Sequence, residues 1–127
     1  MRQITLETCT SVVRKQNFTK ANMMVYFKPK QNLSLVYLHG NLISSYDHST
    51  KNLYIRSAGW QSVTTKDRLN GLMYFLGINA GIYQKDFSWY VRTNKGDIPF
   101  HDAFDTELEI DPNSYRKIKF INISKLA

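Results

Sequence analysis

The sequence predicts an α+β fold in which an antiparallel β-sheet of meanders and hairpins packs against one main helix at about residues 64–76. Three observations carry this. Most segments read as strands, with β-branched and aromatic residues at a period of two, one segment has a clear helical period, and the breaks between segments hold turn-forming pairs.

Taken in order, "QITLETCTSVV" is rich in Thr, Val and Ile and alternates, with Ile4, Leu6 and Thr8 on one face and Thr5, Glu7 and Cys9 on the other. That pattern predicts a strand, with Cys9 a small half-buried strand residue. "MMVYFKPK" and "LSLVYLHGNLISSYD" predict further strands, the second folding back at His39-Gly40-Asn41, where a Gly-Asn pair tolerates the positive φ of a tight turn. "DHSTKN" supplies another turn and "LYIRS" a strand, so residues 33–57 make a three-stranded meander.

The helix follows from Leu69, Leu72, Met73 and Leu76, which fall at i, i+3, i+4 and i+7, with Gly77 placed as a C-terminal cap. Thr64 or Thr65 is expected to cap its first amides, with Asp67 completing a capping box. "GIYQKDFSWYVRT" predicts a hairpin turning at Lys85-Asp86, with Phe87, Trp89 and Val91 on one face and Ser88, Tyr90 and Arg92 on the other. "YRKIKFINI" is a last strand, and residues 93–114, with two prolines and the acids, read as an irregular acidic loop or arm on a single domain spanning 1–127.

With 43% apolar residues and 17 aromatics (eight Tyr, seven Phe, two Trp), the chain can build a core. No segment reaches the roughly 18 consecutive apolar residues of a membrane span, and the N-terminus lacks a signal-peptide apolar run, so a cytosolic protein with no membrane partner is expected. One cysteine and three scattered histidines supply neither a disulfide nor a zinc spacing, and no cofactor is implied.

The net charge of +7 is uneven: residues 1–96 hold thirteen Lys/Arg against four acids, whereas residues 97–127 hold four against six. A basic body is suited to phosphates.

The middle of the chain carries a recognisable string. "LVYLHGNLISSYD", "LYIRSAGWQSVTTKDRLNGL" and "IYQKDFSWYV", over residues 33–92, resemble a family of small proteins encoded by tailed bacteriophages, whose pattern is a "LYLHGN-I" hairpin, an "AGW-S-TTK-RLN" helix start and a "Q-K---WY" strand. The resemblance implies a source, the infected bacterial cytoplasm, rather than an activity. "MYFLGINAG" and the acidic C-terminal stretch depart from the pattern.

Catalysis is disfavoured by the residues themselves. Asp97, Asp102, Asp105, Glu107, Glu109 and Asp111 crowd together without the spacing of a metal loop. His101 beside Asp102 has no visible nucleophile, and the six glycines form no phosphate loop. A non-enzyme is expected.

Two binding classes remain. A nucleic-acid binder would present Lys51, Arg56, Lys66, Arg68 and Arg92 to phosphates near the helix N-terminus, with Trp60 or Tyr90 to stack on a base; single and double strands are not distinguished. Trp60 could otherwise lie as a lid on the core, with Lys66 and Arg68 flanking the apolar stripe and their charges in water. An inhibitor of a host antiviral complex would instead use Tyr74, Phe100, Asp102, Phe104, Asp105, Glu107 and Glu109 against a protein. A phage assembly accessory is the third class, and its mark would be stable self-association.

Overall fold

A computed structural model of the protein describes residues 2–93, 96–100, 106–110 and 119–120. The chain is α+β. Its elements are α1 Gln3–Val13, β1 Phe18–Lys20, β2 Met23–Lys28, β3 Leu33–Leu38, β4 Asn41–Asp47, β5 Leu53–Ile55, α2 Val63–Phe75, β6 Ala80–Lys85, β7 Ser88–Thr93, β8 Gly96–Pro99, β9 Thr106–Ile110 and β10 Lys119–Phe120. A seven-stranded sheet runs in the order β1-β2-β3-β4-β5-β9-β10 and a smaller one in the order β6-β7-β8, with antiparallel pairing throughout.

The first element corrects the sequence reading, for "QITLETCTSVV" is a helix. Thr5, Thr8, Cys9 and Val12 are all buried, and their spacing is that of a helix stripe. The hydroxyls that suggested a strand bond back along the helix: Thr8 to the Ile4 carbonyl (2.7 Å), Thr10 to that of Leu6 (2.8 Å), and Ser11 to that of Glu7 (3.0 Å). Satisfied in this way, a stripe of small residues packs closely, and that packing overrides a weak strand propensity.

The second helix follows the expected periodicity. Leu69, Leu72 and Met73 are fully buried and Leu76 packs at the edge of the same core. Its start differs in detail: the cap is Ser62, whose Oγ accepts from the Thr65 amide at 3.1 Å, while Asp67 is turned to another use. Its end closes on Gly77 at φ +70°, with the Gly77 amide on the Tyr74 carbonyl and the Ile78 amide on that of Met73, which satisfies two orphan carbonyls.

The core lies between the helices and one face of the large sheet. Val25, Val36, Ile43, Leu53 and Ile55 meet Cys9, Val12, Leu69, Leu72 and Met73, and the inner face of the small sheet adds Ile82, Trp89 and Val91. The β3–β4 hairpin turns where expected, but the positive φ falls on His39 and Gly40, at +51° and +78°, rather than on Gly40 and Asn41, because Asn41 already pairs with Leu38 as the first residue of β4.

In the β6–β7 hairpin the two turn residues are Asp86 and Phe87 rather than Lys85 and Asp86, so Phe87 does not share the buried face of Trp89 and Val91. The segment read as an irregular arm contains β8 and β9; β9 pairs with β5, and Ile110 is buried in the core. A strand inserted beside β5 in this way depends on a partner some fifty positions away, which local patterning does not report. Of the expected terminal strand, Lys119–Phe120 pairs with β9 and the rest lies outside the described residues.

Candidate nucleic-acid interface

Arg68 leaves the surface altogether. It is 2% exposed, and its Nη1 donates to Thr5 Oγ1 at 2.8 Å and to Asp67 Oδ2 at 2.9 Å, while the Thr5 hydroxyl donates to the same carboxylate at 2.5 Å. The triad clamps α1 to α2. A cation neutralised and dried in this way is not a phosphate contact. The neighbouring Cys9 thiol is pushed up to about 12, mainly by burial and further by Asp67, with Arg68 opposing, so it is a packing residue rather than a nucleophile.

Arg56 is buried as well, at 6% exposure, with its Nε donating to the Leu42 carbonyl at 2.6 Å. Lys51 is exposed, but it belongs to the turn joining β4 to β5. The start of α2 lies instead by the β3–β4 turn, at the far end of β4, about 20 Å away at roughly 3.3 Å per residue. Lys66 is half-buried on α2. The four cations expected around the helix N-terminus are therefore not brought together. A charge count cannot tell a cation consumed by an internal pair from one left in water.

Trp60 is 63% exposed and so is no lid on the core. Beside it a cleft of about 500 Å³ opens between the β3–β4 turn and the start of α2, lined by Leu38, His39, Asn41, Ile43, Trp60, Ser62 and Thr64 among others. Asn70 bonds to a strand: its side-chain amide donates to the Ile82 carbonyl (3.1 Å) and its Oδ1 accepts the Ile82 amide (2.6 Å), locking α2 to β6.

The fifth cation, Arg92, stands on the outer face of the small sheet, and there the structure does assemble a cluster. Tyr83 and Tyr90 are cross-strand partners whose rings stack with centroids 5.6 Å apart and planes 23° apart. The Arg92 guanidinium lies 4.5 Å from the centroid of the Tyr83 ring. Both positions follow from the two-residue period of the strands, which sends Trp89 and Val91 inward and Tyr90 and Arg92 outward. A groove of about 360 Å³ adjoins them, lined by Gly81, Tyr83, Arg92 and Thr93 among others.

Asp97 on β8 completes the cluster, 3.7 Å from Arg92 and accepting the Tyr83 hydroxyl. That hydrogen bond, more than burial or the nearby charge, raises the Tyr83 phenol above its usual value, against the pull of Arg92. Sequence reasoning named Arg92 and Tyr90 but missed Tyr83 and Asp97. The cross-strand register Tyr83↔Tyr90 and Arg92↔Asp97 supplies the connection.

The residues expected to meet a protein fare unevenly. Tyr74 is 75% exposed on α2, whereas Phe100 is buried edge-on against Trp89 at 6.3 Å and offers no contact. Glu107 and Glu109 lie on β9, in register with Lys119 and Tyr54, and Asp102, Phe104 and Asp105 fall outside the described residues.

Among the described residues no group of three His, Cys, Asp or Glu side chains could hold a metal ion, and no helix is long and apolar enough to cross a membrane. No curated protein and no solved structure matches the chain. A family match covers residues 1–110, which includes the helix clamp, the cleft, the tyrosine pair and β9. The chain belongs to the Kyanoviridae Gp96 protein family, a family of phage proteins.

Proposed function

We propose that this phage protein binds single-stranded nucleic acid in the cytoplasm of the infected host, without catalysis, through the outer face of β6–β7–β8. The observation that carries the reading is the stacked, half-buried Tyr83–Tyr90 pair on the outer face of the small sheet, with the exposed Arg92 over the Tyr83 ring. Aromatic rings on a sheet surface accept unpaired bases whatever their identity, and neighbouring cations follow the backbone. Lys85 is exposed on the same hairpin, beside the tyrosines, and the groove along Arg92 and Thr93 offers the backbone a track. Single strands are favoured over duplex because a paired base offers no face for stacking.

Fluorescence anisotropy with single-stranded DNA and RNA and with duplex, at several salt concentrations, tests this. With two phosphates contacted, log affinity for a single strand should fall with log salt at a slope of about −1.4. Tyr90→Ala should weaken binding on the order of tenfold, within the usual range for one lost base stack. Absence of binding at about 50 mM salt and tens of micromolar protein would remove the reading, since even non-specific binders reach roughly 10⁻⁴ to 10⁻⁶ M. Contact with a host protein through the exposed Tyr74 would then be the better account.

A further inference from the structure

The tip of the β6–β7 hairpin holds a residue that neither the fold nor the tyrosine pair explains. Asp86 and Phe87 form a two-residue turn, both with left-handed backbones, at φ +51° and +65°. Such turns favour Asn-Gly or Asp-Gly, because glycine adopts positive φ without a Cβ clash. The first position here obeys the rule and the second does not. A bulky residue at positive φ is an outlier, and this one is also 95% exposed, the most exposed large apolar side chain among the described residues. Glycine at this position would relieve the backbone and remove the apolar surface together. Unfavourable backbone geometry of this kind is found where a side chain has a task outside the fold.

We propose that Phe87 is a second stacking contact for the strand whose bases lie on Tyr83 and Tyr90, an inference that rests on the function proposed above. The hairpin register supports it. Tyr83↔Tyr90, Gln84↔Trp89 and Lys85↔Ser88 are the last three cross-strand pairs before the turn. Phe87 is thus three residues beyond Tyr90, about 10 Å along the strand at roughly 3.3 Å per residue. Stacked nucleotides advance about 3.4 Å each, so a strand leaving the tyrosines toward the tip reaches Phe87 after about three nucleotides. Exposed Lys85 stands between the two contacts, where it meets the intervening phosphates.

The test measures labelled oligothymidylates, from roughly three to roughly twelve nucleotides long, against the full chain and three variants. Phe87→Gly should weaken the longest oligomers about fivefold or more and leave the shortest unchanged, because those occupy the tyrosines alone. The same variant should melt about 3 °C or more above the parent, through relief of the positive φ. Phe87→Leu keeps the apolar surface but loses the ring, and should lose affinity as Phe87→Gly does. Tyr90→Ala should weaken every length.

If Phe87→Gly binds the longest oligomer like the parent, or Phe87→Leu retains full affinity, the stacking role of Phe87 is overturned. In that case a loss with Tyr90→Ala leaves the proposed function standing. If the parent binds no oligomer of any length, both are overturned together.

Discussion

Arg68 and Arg92 are the same side chain in two regions of one fold, and the fold uses them in opposite ways. In the helix layer Arg68 is dry, bonded to Thr5 and Asp67, and its charge serves only to hold α1 against α2. On the small sheet Arg92 is wet, lies over Tyr83, and pairs with Asp97 at the looser distance of 3.7 Å. The first arrangement is stabilising only while complete, because a buried cation without its carboxylate is strongly unfavourable. The second contributes little to stability, since solvent screens it. The basic character of the chain is therefore divided between a clamp and a surface, and only the surface part is available to a ligand.

The largest expected effect comes from breaking the clamp. Asp67→Ala leaves Arg68 buried with one hydroxyl for a partner and should cost about 3–5 kcal/mol in denaturant unfolding, with the nucleic-acid affinity of the remaining folded protein unchanged. A loss below about 1 kcal/mol would mean that Arg68 escapes to water and that the two regions are alike after all.

Leu72→Ala removes a fully buried side chain between the helix and the sheet and should cost about 2–5 kcal/mol. This variant calibrates the first: a polar clamp that costs as much as a core leucine is structural in the same sense. A loss below about half a kcal/mol would place the helix stripe outside the core.

Changes on the small sheet should move binding and leave stability within about half a kcal/mol. Arg92→Gln should flatten the salt slope by about 0.7, the value of one phosphate on a single strand. Asp97→Asn should act the other way. A carboxylate beside Arg92 competes with phosphate, so its neutralisation should tighten binding by about two- to fivefold. Weaker binding by Asp97→Asn would show that Asp97 orients the cluster rather than opposing the ligand.

The smallest effect is a pH dependence remote from both regions. His48 bonds to Ser34 at 2.7 Å and its pKa is lowered, chiefly by burial and also by Lys15, with Asp47 opposing. A histidine that protonates less readily in the folded state gives the unfolded chain the advantage as pH falls, so stability is full above the unfolded value near 6.5 and declines below it. Melting temperatures at about pH 7.5 and about pH 5.5 should differ less in His48→Gln than in the parent. An equal difference would assign the dependence to other groups.

Some of this arrangement was legible without coordinates. The α2 stripe of Leu69, Leu72 and Met73, the Gly77 cap, the place of the β3–β4 turn and the outward placement of Tyr90 and Arg92 each depend on residues a few positions apart. Helix and strand periods and turn chemistry act over that range, so the sequence by itself determined them. The state of residues 3–13 was not legible in the same way. Thr5, Thr8, Cys9 and Val12 make a weak helical stripe that competes with a plausible strand alternation, and only the surface offered by α2 and the sheet decides between them. The entry of β9 beside β5 and the withdrawal of Arg56 and Arg68 from solvent were likewise decided by the tertiary structure. The reason is the range of the interactions involved. Thr5 and Arg68 are 63 positions apart, and the charge of an arginine stays wet or becomes buried according to partners that only the folded chain brings within hydrogen-bond distance.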